Sequence, residues 1–180
     1  VYALLGRYYP ATTTNFWVWG VYGQDETRGW EAIPSRKGSP EFGGRFQIPF
    51  FPGEAALTYH HRTAELRLPD HLGAGQQTVS FAEDRIGLDG KWDVGPGLWL
   101  EAALTRQQSG VLPLPWQHAL TVGADYTIRV GNGLTVLGEY FLQTSAQRGF
   151  GSGPTAKFAG LMVSYPVTIL DDASAFLYYD

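Results

Sequence analysis

Cysteine is absent, which excludes disulfide frameworks, thiol nucleophiles and Cys-based zinc or iron–sulfur sites together. No run of 18 apolar residues occurs, so a transmembrane helix is excluded, whereas the weaker membrane signal of an alternating strand is not. Positive charge is not in excess. The 13 Lys and Arg against 17 Asp and Glu leave a formal net charge of -4, and the basic residues are scattered. No stripe exists to hold a phosphate backbone, and nucleic acid is not an expected partner. A helical period is missing almost throughout. The chain starts at Val1 without a basic, then apolar leader; if the protein is exported, its signal peptide is not in this sequence.

What is present suits a folded domain: 44% hydrophobic and 17% charged residues over 180 positions is not a disordered composition. Glycine (23) and proline (11) recur between apolar runs, marking turns instead of one linker. The pattern predicts an all-β chain, one domain over 1–180. Its ten strands fall at roughly 1–9, 15–23, 41–50, 54–65, 81–94, 98–108, 116–130, 134–144, 155–165 and 172–179. They group into five hairpins. Connections inside the hairpins are short (10–14, 51–53, 95–97, 131–133 and 166–171), with Gly where positive φ is needed. Those between hairpins are longer and polar (24–40, 67–80, 109–115 and 145–153). A soluble sandwich has little reason for this alternation, whereas an up-and-down meander in an outer membrane puts short turns in the periplasm and long loops outside. Strand length agrees: most runs hold 9 to 15 residues, against about 5–6 in soluble strands and about 9–11 for a tilted membrane crossing.

Side-chain alternation sorts the strands into two faces. One carries Arg45, Glu54, His60, Arg62, Arg85, Asp89, Lys91, Asp93, Glu101, Asp125, Arg129, Glu139 and Lys157, among small residues such as Gly87, Ala103, Ala119 and Gly123. The other carries Phe42, Phe46, Ile48, Leu57, Tyr59, Ile86, Leu88, Trp92, Leu100, Leu120, Val122, Tyr126 and Ile128. Periodicity alone fits a soluble sheet equally well. The mixed charges and small residues of the polar face, with Phe50, Trp99, Trp116 and Tyr140 near strand ends as an interface girdle, favour a membrane.

The segments FGGRFQIPFFPGEAALTYHHR, EDRIGLDGKWDVGPGLWLEAALTRQ and WQHALTVGADYTIRVGNGLTVLGEYF resemble the porin-like β-barrels of Gram-negative outer membranes. The resemblance covers nearly the whole chain and is carried by patterning and turn spacing, not by a catalytic motif. It implies an antiparallel transmembrane barrel in the cell outer membrane, with the polar face lining a lumen and the apolar face meeting the bilayer and lipopolysaccharide. With short turns in the periplasm both chain ends would be extracellular, unlike such barrels. The expectation is therefore a piece of a larger barrel of about 12 or more strands.

Some residues break the pattern. The run 15–23 is apolar on both faces, Leu137 and Phe141 share the parity of Glu139, and Leu161 and Val163 share that of Lys157. A plug or loop inside a barrel, or a two-sided soluble core, would account for them.

Among candidates for chemistry, His60 and His61 are adjacent and point oppositely on a strand, which makes them poor joint metal ligands. They are read as wall and rim, and His118 as interface beside Trp116. No metal site and no cofactor is expected: Asp89 and Asp93 lack the remaining ligands of a calcium loop, and GFGSG at 149–153 lacks the Lys and helix of a phosphate loop. Asp25, Glu26 and Asp84 are acidic groups that nothing compels to bind an ion. His60 and Ser80 have no identifiable orienting partner for hydrolysis. The polar face carries six charges of each sign, which either set a solute barrier or pair across strands to brace the wall.

The function expected is a non-enzymatic channel passing small hydrophilic solutes, with 24–40 as a constriction or external recognition loop. The alternatives are a plugged structural barrel, a soluble sandwich holding carbohydrate on Trp17, Trp19, Trp30 or Trp99, and an outer-membrane lipid hydrolase.

Overall fold

A computed structural model describes residues 1–29, 31–69 and 76–180. Trp30 and positions 70–75 of the 67–80 connection lie outside the described residues. Ten antiparallel strands form one sheet in sequence order: β1 (Tyr2–Tyr8), β2 (Asn15–Tyr22), β3 (Glu41–Pro49), β4 (Gly53–Pro69), β5 (Gln76–Asp93), β6 (Gly97–Gln107), β7 (Trp116–Ile128), β8 (Leu134–Ala146), β9 (Thr155–Pro166) and β10 (Asp172–Tyr179). Each strand packs only against its neighbours in sequence. Among the described residues no second layer covers the sheet, and β1 does not pair with β10, so the sheet is open.

The alternation of apolar and polar residues sets the register. The ladder Gln47↔Ala56, Ala56↔Asp89, Asp89↔Glu101, Glu101↔Thr121 and Thr121↔Phe141 lies on one side of the sheet, here the charged face. The ladder Phe46↔Leu57, Leu57↔Leu88, Leu88↔Ala102, Ala102↔Leu120 and Leu120↔Leu142 lies on the other, the apolar face. Slipping one strand by a single residue would exchange the faces.

The apolar face is largely uncovered: Leu57 is 54% and Leu88 50% exposed. Among the described residues the buried hydrophobic ones are few, and the one cluster they form, Ile33, Ala64 and Phe81 with Leu66, Val79 and Leu112 packed on it, sits at one end of the sheet. That end is where β4 and β5 differ from expectation. Both strands run several residues past the predicted limits of 65 and 81, turning every described residue of the 67–80 connection into ladder.

The overhang of β4 extends beyond β3, whose pairing stops at Phe42↔His61. Residues 34–36 of the 24–40 connection take the vacated edge through a bridge Ser35↔Ala64. The backbone N–H of Arg36 donates to Thr63 O at 2.8 Å and that of Glu65 to Pro34 O at 2.9 Å. This pairs backbone groups that an edge would leave open.

Turn chemistry follows prediction at Gly95, Gly131 and Gly133, which have φ of 106°, 56° and 100°. It departs at 51–53, where Phe51 holds φ 55° and Gly53 starts β4. Glycine is needed there for close approach, since a Cβ at Gly53 would come 2.0 Å from Lys91 O.

Candidate functional site

Three zones follow one another along the charged face. At the long-loop end a polar chain links loop 24–40 to the sheet. The buried Arg62 guanidinium donates to Glu83 Oε1 at 2.7 Å, Glu31 Oε2 at 2.9 Å and Ser35 Oγ at 3.2 Å. Gln107 Nε2 donates to the second Glu83 oxygen at 2.8 Å. Glu31 lies 3.5 Å from Arg28, whose Nη2 donates to Glu41 Oε2 at 2.5 Å. The same Glu41 oxygen lies 3.2 Å from His60 Nε2. Trp19 Nε1–H donates to His60 Nδ1 at 3.0 Å, which requires the imidazole proton on Nε2, toward Glu41.

Arg62 and its partners Glu31 and Glu83 have side chains only 1%, 4% and 2% exposed, so their charges persist by mutual pairing. Burial opposes the charge on Arg28, but the hydrogen bond it donates to Glu41 and the charges of Glu31 and Glu41 outweigh it and raise its pKa above the usual value. His60 and His61 lie on opposite faces, as do His60 and Ser80, because His60 pairs with Arg85 and Ser80 with Glu65.

The middle zone is a trough of about 560 Å³. Across it Arg45 forks onto Asp89, with Nη1–Oδ2 at 2.5 Å and Nη2–Oδ1 at 2.6 Å, spanning from β3 to β5 over Thr58. Arg85 is held more loosely, 3.3 Å from Thr105 Oγ1 and 3.4 Å from Glu83. Glu139 lies on this face too, opposite Gly123. The third zone, at the short turns, is a recess of about 880 Å³ lined by Glu54, Lys91, Asp93, Asp125 and Arg129, with Gln47 donating to Glu54 at 2.6 Å.

Two placements differ from the sequence reading. Lys157 pairs with Leu142 and so belongs to the apolar face, two residues inside the long-loop end of β9. Leu161 and Val163 stay with it, and the anomaly passes to Phe158 and Met162, the large residues of β9 that lie on the charged face with Ala156, Gly160 and Ser164. Trp99 is not a girdle residue. It pairs with Lys91 and Gly123 on the charged face, and its indole lies where a Cβ on Gly123 would sit, 2.1 Å away. Trp19 packs over Gly43 in the same way, and Arg7 sits 4.4 Å over the Trp17 ring. The two-sided apolarity of β2 therefore reflects indoles packed over neighbours on the charged face.

The apolar candidates, from Phe42 through Ile128, share the opposite face in the ladders. One transverse row bounds them at the long-loop end: Phe42, His61, Asp84, Arg106 and Trp116. Asp84 accepts from Tyr59 Oη at 2.7 Å and Gln108 Nε2 at 2.8 Å and lies 2.8 Å from His61 Nδ1; Arg106 lies 5.4 Å from the Trp116 centroid. From that row to the short turns, the described residues of β3 to β8 carry no Asp, Glu, Lys or Arg on this face. The ten residue steps from Asp84 to Val94 span about 33 Å at about 3.3 Å each, or about 25 Å along the normal at a 40° tilt.

Glu31, Ser35, Glu41, Glu83 and Gln107 were not among the candidates. Glu41 and Glu83 carry the charged-face parity of Arg45 and Arg85, which was a usable signal; Glu31 and Ser35 sit in a loop, where parity says nothing. Comparison with protein families, with curated proteins and with solved structures finds no match to this chain.

Proposed function

We propose that the chain forms the wall of an outer-membrane β-barrel, with lipid against the apolar face and small hydrophilic solutes moving past the charged face. The observation that carries this reading is the band on the apolar face that holds no charge from β3 to β8, β9 adding one, Lys157, in the ladder row of Leu142 and Leu120. The band's height of about 25 Å equals that expected of a barrel's lipid-facing belt, and its upper limit is a row where Asp84 and Arg106 meet Trp116 and Tyr59, the residue types of a membrane interface. In water such a face would be a very large exposed apolar patch.

A bilayer tolerates no unpaired sheet edge, so the reading requires partners for the outer edges of β1 and β10, supplied by further strands of a barrel of 12 or more. A soluble sandwich lacks support because no second layer packs on the described strands. Hydrolysis lacks support because both ring nitrogens of His60 face Trp19 and Glu41. Loop 24–40 is fastened to the overhang of β4, where it shapes the outer mouth. Extraction and conductance test the proposal: the protein should need detergent, shift in mobility when heated before electrophoresis, and give discrete current steps in a planar bilayer. A protein that stays in solution without detergent overturns it.

A further inference from the structure

We propose that the trough midway along the charged face is a binding site for neutral carbohydrate. This rests on the channel reading above and names the solute class. The trough, about 560 Å³, lies within the range of about 300–1,000 Å³ typical of small-ligand sites. Its charged and amide lining is Arg45, Arg85, Asp89, Glu101, Gln117 and Gln143, two groups of each charge and two neutral amides, with Thr105, Thr121 and His118 as its other polar residues. The charges cancel, so the site favours no ion of either sign.

All six groups are planar and present paired donors or acceptors, the spacing that adjacent hydroxyls of a sugar ring satisfy. Three of them make no hydrogen bond: among the described residues Glu101, Gln117 and Gln143 have no hydrogen-bond partner, and Glu101 acts on Arg45 by charge alone. Arg85 is held only at 3.3 Å and beyond. A trough that merely braced the wall would pair these groups with each other, as Arg45 and Asp89 are paired.

The remaining wall supplies the apolar surface. Phe141 lines the trough and continues into an aromatic run, 6.0 Å to Phe158 and from there 6.1 Å to Tyr178. A pyranose has a polar rim and an apolar C–H face, which this juxtaposition of a ring with amides and a carboxylate that make no hydrogen bond accommodates. The platforms expected from the sequence are less suited: Trp17 lies under Arg7 and Trp19 is tied to His60.

The test uses the protein in detergent micelles and in planar bilayers, with maltotriose and cellotriose as probes, polyethylene glycol of equal size as the neutral comparator and citrate as the anionic one. One trisaccharide should bind saturably by calorimetry and block current saturably. Phe141→Leu, which keeps the apolar volume, and Glu101→Gln should each weaken it at least tenfold with unaltered heat-shifted mobility. Equal block by polyethylene glycol, stronger binding of citrate, or unchanged affinity in Phe141→Leu overturns the proposal while leaving a conducting channel standing. Saturable sugar binding without conductance upholds the site and refutes the channel.

Discussion

Removing the Arg62 side chain should release loop 24–40 from the sheet. Arg62 is 1% exposed and bridges Glu83 on β5 to Glu31 in the loop. Arg62→Ala therefore strands two buried carboxylates, and breaking a buried pair costs about 3–5 kcal/mol. Two features move the expectation to the lower end. Glu83 keeps Gln107 and Arg85, and Glu31 keeps Arg28. About 3 kcal/mol corresponds to a roughly 150-fold larger open population, at about 1.4 kcal/mol per factor of ten. Where opening is fast relative to cleavage, proteolysis tracks that population, so trypsin should cut at Arg36 and Lys37 about 100-fold faster. Arg148, in a separate connection, provides the control site and should be unaffected. A less than threefold change at Arg36 and Lys37 would refute the reasoning, because the loop would then be held by the Ile33–Ala64–Phe81 cluster and its backbone bonds alone.

Three further outcomes are expected. Gly123→Ala should destabilise the protein by about 1–3 kcal/mol, since overpacking drives the new Cβ into the Trp99 indole. Gly160→Ala, with nothing within 4 Å of the new Cβ, should leave the temperature of the heat-dependent mobility shift unchanged. Arg45→Ala removes a positive charge from the trough and frees Asp89 beside Glu101, so the zero-current potential in a salt gradient should move toward cation preference; Asp89→Asn should move it the other way. Leu88→Arg, near the middle of the apolar band, should cost about 2–4 kcal/mol in lipid, and Thr63→Arg, above the Asp84 row, about 0–1, measured by denaturant titration in vesicles.

Much of the sheet is visible in the sequence because β structure with one face uncovered leaves a period-2 record, as Arg85, Gly87, Asp89, Lys91 and Asp93 against Ile86, Leu88, Trp92 and Val94 show. The reading fails where that record is thin. Thr, Gln and Ser past residue 67 read as loop although β4 and β5 continue, because the overhang lies beyond the apolar band and its polar residues do not alternate with a continuous apolar row. In β9 the single charge of Lys157 is a misleading marker of face beside Leu161 and Val163, because near a strand end a long cationic side chain reaches polar surroundings from either face. Residue type alone points Trp99 to a girdle, whereas the neighbouring Gly123 makes room for it on the charged face. The Arg62 cluster was invisible as a cluster, since its members come from a loop and four strands and meet only through the docking of 24–40.

Because the chain contains no cysteine, single cysteines can report on the two faces without background. Leu120→Cys and Thr121→Cys are neighbours on β7 that point to opposite faces. Each is labelled with a small fluorophore in reconstituted vesicles and exposed to spin-labelled lipid and to aqueous iodide. The account predicts lipid quenching at 120 and iodide quenching at 121. Iodide quenching at both positions, with no response to the lipid probe, would contradict the claim that the apolar face lies against a bilayer.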